Sequence, residues 1–275
     1  MLDMATVPDM NTAIVVQQLT PAIGAEISGI ALSDTLSDRQ ISDIRQALLD
    51  HGVIFFRNQS LDVEAHKVLA RRFGEIFVHP NFNTGEGDPE VVDIVRKPGD
   101  THIVGEEWHT DHAYDQIPAM GSILRAIEVP PYGGDTVFCS MGAAYEALSE
   151  RFKEMLAGLN ARHSSRHVFG DIEGASDALH PVVIAHPLSG RKGLFVNPQF
   201  TTQIDGLDPI ESKAILDAIF QHCQQPEFQA RVRWQAGDVT MWDNRATWHK
   251  AINDYHGHRR YMHRITIEGC ALEAA

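Results

Sequence analysis

The chain has 275 residues, 43% of them hydrophobic, which is enough to bury a substantial core and within reach of one β-rich domain. We therefore expect a single domain over residues 1–275, with residues 1–12 as a loose leader. The formal net charge of −14 disfavours nucleic acid and anionic membranes as partners, because either would need a basic face.

The first part of the chain predicts short strands interleaved with two helices. Between residues 15 and 30, apolar stretches broken by proline and glycine are typical of edge strands. Apolar residues at helical spacing predict a helix over 36–52, which Ser37 can cap at its start and Gly52 at its end. The other predicted elements here are a buried strand at 53–56, a helix over 61–73 that opens with Asp62, a polar lid loop at 81–88, and a strand at 91–96.

The second part of the chain is richer in strands. Its predicted elements are strands at 121–129 and 135–138, one helix over 143–159, a strand pair at 182–185 and 193–197, a helix over 209–224, and three closing strands between 232 and 267. Residues 163–179 show no clear period. Early helices and late strands favour an α+β, mainly β protein with a jelly-roll core, the double-stranded β-helix, flanked by helices.

Cysteine usage and the N-terminus bear on the compartment. The three cysteines are too few and too scattered for a disulfide framework, so a reducing compartment is favoured. The N-terminus lacks the apolar core of a signal peptide, and no apolar run approaches membrane-spanning length. We therefore expect a soluble cytoplasmic protein.

A His-x-Asp step, Trp108-His109-Thr110-Asp111, stands ahead of the strand at 121–129. In an extended segment the side chains of His109 and Asp111 project from the same face, so an imidazole and a carboxylate can converge on one metal ion. With 15 histidines in the chain, one such step is expected by chance. Taken alone, this motif is more simply a hydrogen-bonded surface pair.

The C-terminal region supplies a third donor and a positive face. His249 completes a set of two histidines and one carboxylate, the facial triad typical of non-haem Fe(II) oxygenases. Further on, Arg260 and Arg264 share one face of a predicted strand. A face that carries two arginines is costly to bury without anions, so an acidic protein with this one basic pocket indicates a small anionic ligand.

Together these motifs resemble the taurine dioxygenase family, the Fe(II)- and 2-oxoglutarate-dependent dioxygenases that also include alkyl sulfate and phenoxyalkanoate dioxygenases. The resemblance covers nearly the whole chain, from Gly24 to Gly269. It is strongest at Trp108-His109-Thr110-Asp111, Gly133-Gly134-Asp135-Thr136, Leu194-Phe195-Val196-Asn197 and Trp242-Asp243-Asn244-Arg245, with Arg260 and Arg264.

The resemblance implies a function and a role for particular residues. The expected reaction hydroxylates a small anionic substrate, a sulfonate, sulfate ester or carboxylate, with 2-oxoglutarate and O2 as cosubstrates and succinate and CO2 as coproducts. Hydroxylation beside a heteroatom substituent often leads to its loss, as C–S or C–O cleavage, and a homo-oligomer, dimer or tetramer, is expected. The implied site residues are His109, Asp111 and His249 as iron ligands, Thr136 and Arg260 at 2-oxoglutarate, and His79, Phe200 and Arg264 at the substrate.

Two other functions fit parts of the pattern. A zinc hydrolase could use the same three ligands with Glu106 or Glu107 as its base, and a jelly roll without chemistry could retain only binding. The hydrolase gives no reason for the paired arginines, and the intact set of ligands disfavours a protein that only binds. Arg245 is open between a second anion contact and an ion pair with Asp243.

The chain departs from taurine dioxygenases at Gly105, where those relatives carry an asparagine that contacts taurine. Loss of that side chain enlarges the pocket and removes a partner for the amine. This departure favours a bulkier or more apolar acid over taurine.

Overall fold

The computed structural model describes residues 13–79, 88–103 and 105–275. The leader predicted at residues 1–12 and nearly all of the lid predicted at 81–88 lie outside the described residues. Within the described part of the chain, no helix has both the length and the apolar character needed to cross a membrane.

The described residues form strands, six α-helices and one short 3-10 helix, with strands predominating. The first elements are β1 (Val15–Gln18), β2 (Ala25–Ser28), α1 (Asp38–His51), β3 (Val53–Phe56), α2 (Val63–Arg71), β4 (Ile76–Phe77), β5 (Val92–Arg96) and β6 (Gly121–Glu128). The middle elements are β7 (Thr136–Ser140), α3 (Met141–Glu146), α4 (Glu150–Leu156), β8 (Asn160–Ser164), α5 (Arg166–Phe169), β9 (Asp177–Pro181), β10 (Val183–Ala185), β11 (Lys192–Leu194) and β12 (Thr201–Ile204). The last elements are α6 (Pro209–Cys223), the 3-10 helix (Pro226–Phe228), β13 (Gln229–Val232), β14 (Val239–Asp243), β15 (Thr247–Ala251), β16 (Arg260–Ile267) and β17 (Glu273–Ala274).

Eight strands form the main sheet in the order β1-β2-β3-β14-β6-β16-β4, and β5 pairs with β16 beside β4. Only β2 and β3 run parallel among these neighbours. Three smaller sheets have the orders β13-β7-β15, β12-β8-β9 and β11-β10-β17. The main sheet and the β13-β7-β15 sheet matter most for function, because both contribute side chains to the site.

The main sheet buries side chains on both faces. On β3, Ile54 and Phe56 pack in the cluster that includes α1 and α2, whereas Val53 and Phe55 pack in the cluster with Phe138 of β7. A strand covered on both sides needs a continuous apolar sequence. This packing explains why residues 53–56 read as a buried strand.

Helix ends agree well with their sequence signals. Ser37 and Gln40 form a capping box at the start of α1, and Gly52 caps its end with a φ of +71°. Asp62 caps α2. The predicted helices over 36–52, 61–73 and 209–224 are confirmed within a few residues at each end.

The predicted single helix over 143–159 is wrong, because the chain forms two short helices there. Ser149 has an extended conformation and accepts a hydrogen bond from the backbone N–H of Phe152, which begins α4. A capping residue with extended backbone angles interrupts the helical path. The apolar stripe continues across the break and hides it from a periodicity argument.

Candidate active site

The three side chains suggested as metal ligands converge in the structure. One donor atom from each of His109, Asp111 and His249 lies within 4.8 Å of the other two, and all three residues are buried. His109 Nε2 lies 3.6 Å from Asp111 Oδ1, and His249 Nε2 lies 3.8 Å from Asp111 Oδ2. Two imidazole nitrogens and one carboxylate facing a common point can hold a divalent metal and leave adjacent coordination positions open.

Backbone pairing brings the two histidines together. The N–H of His109 donates to the carbonyl of His249 at 3.1 Å, and the N–H of His249 donates back at 2.9 Å. His109 thus extends the β13-β7-β15 sheet by one antiparallel bridge beside β15. Asp111, in contrast, lies in a turn, so the expectation that both residues share one strand face is wrong in detail. The turn at Asp111 therefore brings its carboxylate toward the two histidine rings.

Each histidine presents Nε2 to the cluster. His109 Nδ1 lies 2.8 Å from the carbonyl oxygen of Glu107 and must donate to it, which fixes the ring with Nε2 toward the cluster. The ring of His249 lies near Phe138 and Trp242, with centroid distances of 5.9 and 4.8 Å. Burial, reinforced by His109, lowers the pKa of His249 to about 3.

Asp111 is held as an ionised carboxylate. Ser122 Oγ donates to Oδ2 and Arg264 Nη1 donates to Oδ1, each at 3.2 Å. Burial alone would raise the pKa of Asp111, but the contacts of its carboxylate, with the charge of Arg264 foremost, outweigh burial and hold the pKa well below its usual range. Asp111 therefore offers the anionic oxygen donors that a divalent cation favours.

A narrow cavity of about 50 Å³ extends from the two histidines and is lined by Thr136 and Arg260. Arg260 is 5% exposed, and no described residue forms a hydrogen bond or ion pair with it. Burial lowers the pKa of Arg260. Trp234 Nε1 donates to Thr136 Oγ1 at 3.0 Å, so the threonine proton is free to donate into the cavity.

A larger cavity of about 550 Å³ opens on the other side of His109 and Asp111. The three residues suggested at the substrate, His79, Phe200 and Arg264, all line this cavity. His79 is half-buried, and burial together with His112 and Arg264 lowers its pKa to about 4. Its ring is therefore neutral near pH 7 and can donate one hydrogen bond to an anion.

The model of the taurine catabolism dioxygenase TauD, TfdA family matches residues 16–266. The chain belongs to this family. The resemblance inferred from the motifs and the predicted class of 2-oxoglutarate-dependent dioxygenase are confirmed at this level.

Relatives of known name cover most of the chain. An alkylsulfatase of Acinetobacter baylyi is 35% identical over 92% of this chain and 84% of its own length. An alpha-ketoglutarate-dependent sulfate ester dioxygenase of Pseudomonas putida is 34% identical over 90% and 87%. The crystal structure of a putative alpha-ketoglutarate-dependent taurine dioxygenase from Burkholderia xenovorans superimposes with a TM-score of 0.85 at 38% identity, covering 95% of this chain and 94% of that one.

In this TauD, TfdA family member, the segment without a readable pattern forms one wall of the larger cavity. Residues 163–179 contain the end of β8, the short helix α5 and the start of β9. Val168, Phe169 and Ile172 line the cavity, and the Phe169 ring lies 6.0 Å from that of Phe200. Their spacing follows no single period, because the segment changes from strand to helix to turn within a few residues. Sequence reasoning therefore missed them.

Two further residues of the site also escaped sequence reasoning. Trp234 is buried on the loop after β13 and orients Thr136, but only its three-dimensional position reveals that role. Asn197 Oδ1 accepts from the backbone N–H of Phe200 at 2.9 Å and fixes the turn that presents the phenyl ring. Asn197 belongs to the motif Leu194-Phe195-Val196-Asn197, and this motif was the only sequence signal for its role.

The structure resolves the alternatives for Arg245. Its Nε and Nη2 donate to the two carboxylate oxygens of Asp243 at 2.9 and 2.6 Å, and His186 Nε2 lies 3.0 Å from the same carboxylate. All three groups are buried. Arg245 therefore forms an ion pair with Asp243 behind β14 and lines neither cavity at the metal cluster.

Gly105 occupies a position that excludes most side chains. Its φ is +77°, and a Cβ atom there would lie 3.0 Å from Cε1 of His109. A residue with a side chain would be strained and would press on a ring of the metal cluster. Glycine thus permits close packing of the 105–107 backbone against His109. This packing explains the glycine at position 105, which the resemblance to taurine dioxygenases left unexplained.

Proposed function

We propose that this chain catalyses the Fe(II)- and 2-oxoglutarate-dependent hydroxylation of a small organic anion with an apolar body. The observation that carries the proposal is one metal-competent cluster placed between two cavities, each with a buried arginine. Membership of the family supports the same reaction. In this proposal the whole chain acts as one catalytic domain.

In the proposed site, His109, Asp111 and His249 would hold Fe(II). The donor set suits this metal, because two neutral imidazoles and one carboxylate leave coordination positions for a chelating cosubstrate and O2. When bound, iron with 2-oxoglutarate and O2 supplies the oxidising chemistry and yields succinate and CO2. The protein contributes binding, orientation and exclusion of water.

Arg260 and Thr136 would bind the distal carboxylate of 2-oxoglutarate. The guanidinium offers a planar pair of N–H donors that matches a carboxylate, and the free Thr136 proton adds a third donor. The indole of Trp234 holds the threonine oxygen in place and prevents it from turning away. Because Arg260 forms no ion pair among the described residues, and Asp135 acts on it only from a distance, an arriving carboxylate would gain an ion pair without displacing one.

Arg264 and His79 would bind the anionic group of the substrate, and Phe200 would flank the carbon that reacts. The other walls, from Tyr114 and helix α5, are largely apolar. A cavity of about 550 Å³ is in the range that holds ligands much larger than taurine. We therefore favour a sulfate ester or carboxylate with an alkyl or aryl body, as the names of the alkylsulfatase and sulfate ester dioxygenase relatives suggest.

We further propose that the main sheet and the β13-β7-β15 sheet form the two faces of a double-stranded β-helix. The His249 ring projects from β15 and Arg260 and Arg264 project from β16, so the site lies between the two sheets. A cavity closed between two faces of a jelly roll is a frequent ligand site.

A zinc hydrolase is less well supported. Glu106, a candidate base for it, already accepts from Asn253 at 2.8 Å and lies 3.2 Å from His102, and these contacts lower its pKa against the opposing effect of burial. The other candidate, Glu107, is exposed. The hydrolase also gives no use to Arg260.

The test is an anaerobic titration of the purified protein with Fe(II) and then 2-oxoglutarate, followed by the weak visible charge-transfer band of the chelate. Hexyl sulfate, phenoxyacetate and taurine are then added separately, with succinate formation measured after admission of O2. We expect the band, and turnover with one of the first two compounds. The variant His109→Ala should lose both, whereas His258→Ala, a change remote from the cluster, should keep both. Iron binding without the band, or turnover preserved in His109→Ala, would refute the proposal.

A further inference from the structure

A second buried arginine lies next to Arg260. In the antiparallel pairing of β5 with β16, Arg96 is the direct partner of Arg260. Directly paired residues point to the same side of a sheet, and the two side chains are only 4% and 5% exposed. Like charges in directly opposed positions destabilise a sheet, so this arrangement needs a compensating group.

The contacts of Arg96 do not supply a counter-charge. Its Nη2 donates to the carbonyl oxygen of Asp100 at 3.0 Å and lies 2.9 Å from His256 Nδ1, while the guanidinium carbon lies 4.2 Å from the centre of the Tyr255 ring. Its Nε and Nη1 are buried without partners. The Asp100 carboxylate instead accepts from the backbone N–H of Lys97 at 2.8 Å. Across the described ranges, no acidic side chain forms an ion pair with Arg96.

The space beside these two arginines connects with the site. A cavity of about 300 Å³ is lined by Arg96, Tyr255, Arg260 and Arg264. It shares Arg260, Arg264 and Ile94 with the narrow cavity that leads to the metal cluster. An anionic group bound at Arg260 would therefore lie next to a second buried arginine, Arg96.

We propose that Arg96 is a positioning residue that adds a second positive charge behind Arg260 and so strengthens binding of the outer carboxylate of 2-oxoglutarate. The inference rests on the proposed function. Arg260 contacts the carboxylate, whereas Arg96 stays on Asp100, His256 and Tyr255 and acts through its charge. Buried unpaired charges are costly, and a bound carboxylate offsets the cost of both arginines at once.

The experiment compares ligand binding to Mn(II)-loaded protein by calorimetry under argon. The probes are 2-oxoglutarate and oxalate, which can chelate the metal but has no outer carboxylate. The variants are Arg96→Met, Arg96→Lys and, as a matched control, Arg259→Met, which removes an exposed arginine that directly precedes β16 and pairs with Glu128. All proteins are first compared by circular dichroism and Mn(II) affinity.

We expect Arg96→Met to weaken 2-oxoglutarate binding by roughly tenfold, the size of effect that removal of one nearby charge has at an intermediate dielectric constant, while oxalate binding stays the same. Arg96→Lys, which keeps the charge, should bind 2-oxoglutarate within about threefold of the parent, and Arg259→Met should bind both probes normally.

The possible failures are distinguishable. Absence of 2-oxoglutarate binding by the parent protein overturns the proposed function itself. Normal binding by the parent with an unchanged ratio of 2-oxoglutarate to oxalate affinity in Arg96→Met overturns the role of Arg96, and so does an equal loss for both probes. If the methionine variant does not fold, the lysine variant decides, since a tenfold fall in its affinity ratio contradicts a role that depends on charge.

Discussion

Replacement of Arg260 by methionine is the most direct test of how the site holds its cosubstrate. The side chain keeps its length and apolar stem but loses the guanidinium, whose terminal nitrogens have no partner among the described residues. In the proposed complex these nitrogens make two charge-assisted hydrogen bonds, each worth about 1.5 kcal/mol. Their loss costs about 3 kcal/mol, which corresponds to an affinity on the order of 100-fold lower.

The assay measures succinate formation against 2-oxoglutarate concentration at a fixed, saturating concentration of the primary substrate. We expect the KM for 2-oxoglutarate to rise on the order of 100-fold, while the KM for the primary substrate changes little. Arg259→Met is the control, because that exposed ion pair with Glu128 contributes little. The unliganded variant should unfold at a temperature no lower than the parent, since it removes one of two opposed charges. A rise confined to the KM of the primary substrate would refute the assignment.

Three smaller perturbations test the surroundings of the site. Trp234→Phe keeps an aromatic side chain but removes the N–H that orients Thr136, so the KM for 2-oxoglutarate should rise roughly fivefold, as the loss of about 1 kcal/mol implies; an unchanged value would contradict this role of Trp234. Phe169→Ala shortens the apolar wall, so we expect the KM for an alkyl or aryl substrate to rise several-fold with no change for 2-oxoglutarate, measured by the same succinate assay. Burial lowers the pKa of His163 to about 3, so its unfolded form takes up a proton below about pH 6.5 and the folded form does not. The free energy of unfolding should therefore fall as the pH drops from 6.5 toward 3. In His163→Asn, which can keep the Thr201 contact, this dependence should be weaker. Urea unfolding between pH 6 and 4.5 should show a free energy of unfolding whose change per pH unit is smaller than in the parent by up to about 1.4 kcal/mol.

The three candidate metal ligands could be predicted from the sequence because they lie in short motifs. His109 and Asp111 are neighbours along the chain, and their approach requires only local backbone geometry. His249 is remote in sequence, and its place opposite His109 depends on the pairing of β15, which no local pattern specifies. Family resemblance supplied that long-range information for His249, as it did for Thr136.

The walls of the larger cavity could not be read in the same way. Val168 and Phe169 belong to a four-residue helix, too short to show a period, and both are partly exposed. These apolar side chains form a cavity wall only together with Phe200, which comes from another part of the chain. The same limit applies to α3 and α4, where the periodic stripe continued through a break that Ser149 creates.

The two arginines of β16 looked equivalent in the sequence, as two positive charges on one strand face that buried anions would have to balance. The structure gives them different partners. Arg264 already donates to the Asp111 carboxylate. A substrate anion that binds Arg264 would therefore share this arginine with one of the proposed metal ligands. Arg260 forms no such hydrogen bond in the described part of the chain, although Asp135 acts on it electrostatically, and Arg96 beside it adds a second buried positive charge. An anion bound by Arg260 should therefore stabilise the folded protein more than an anion bound by Arg264. Loss of Arg264 should instead disturb the orientation of Asp111, so its effects cannot be confined to the substrate.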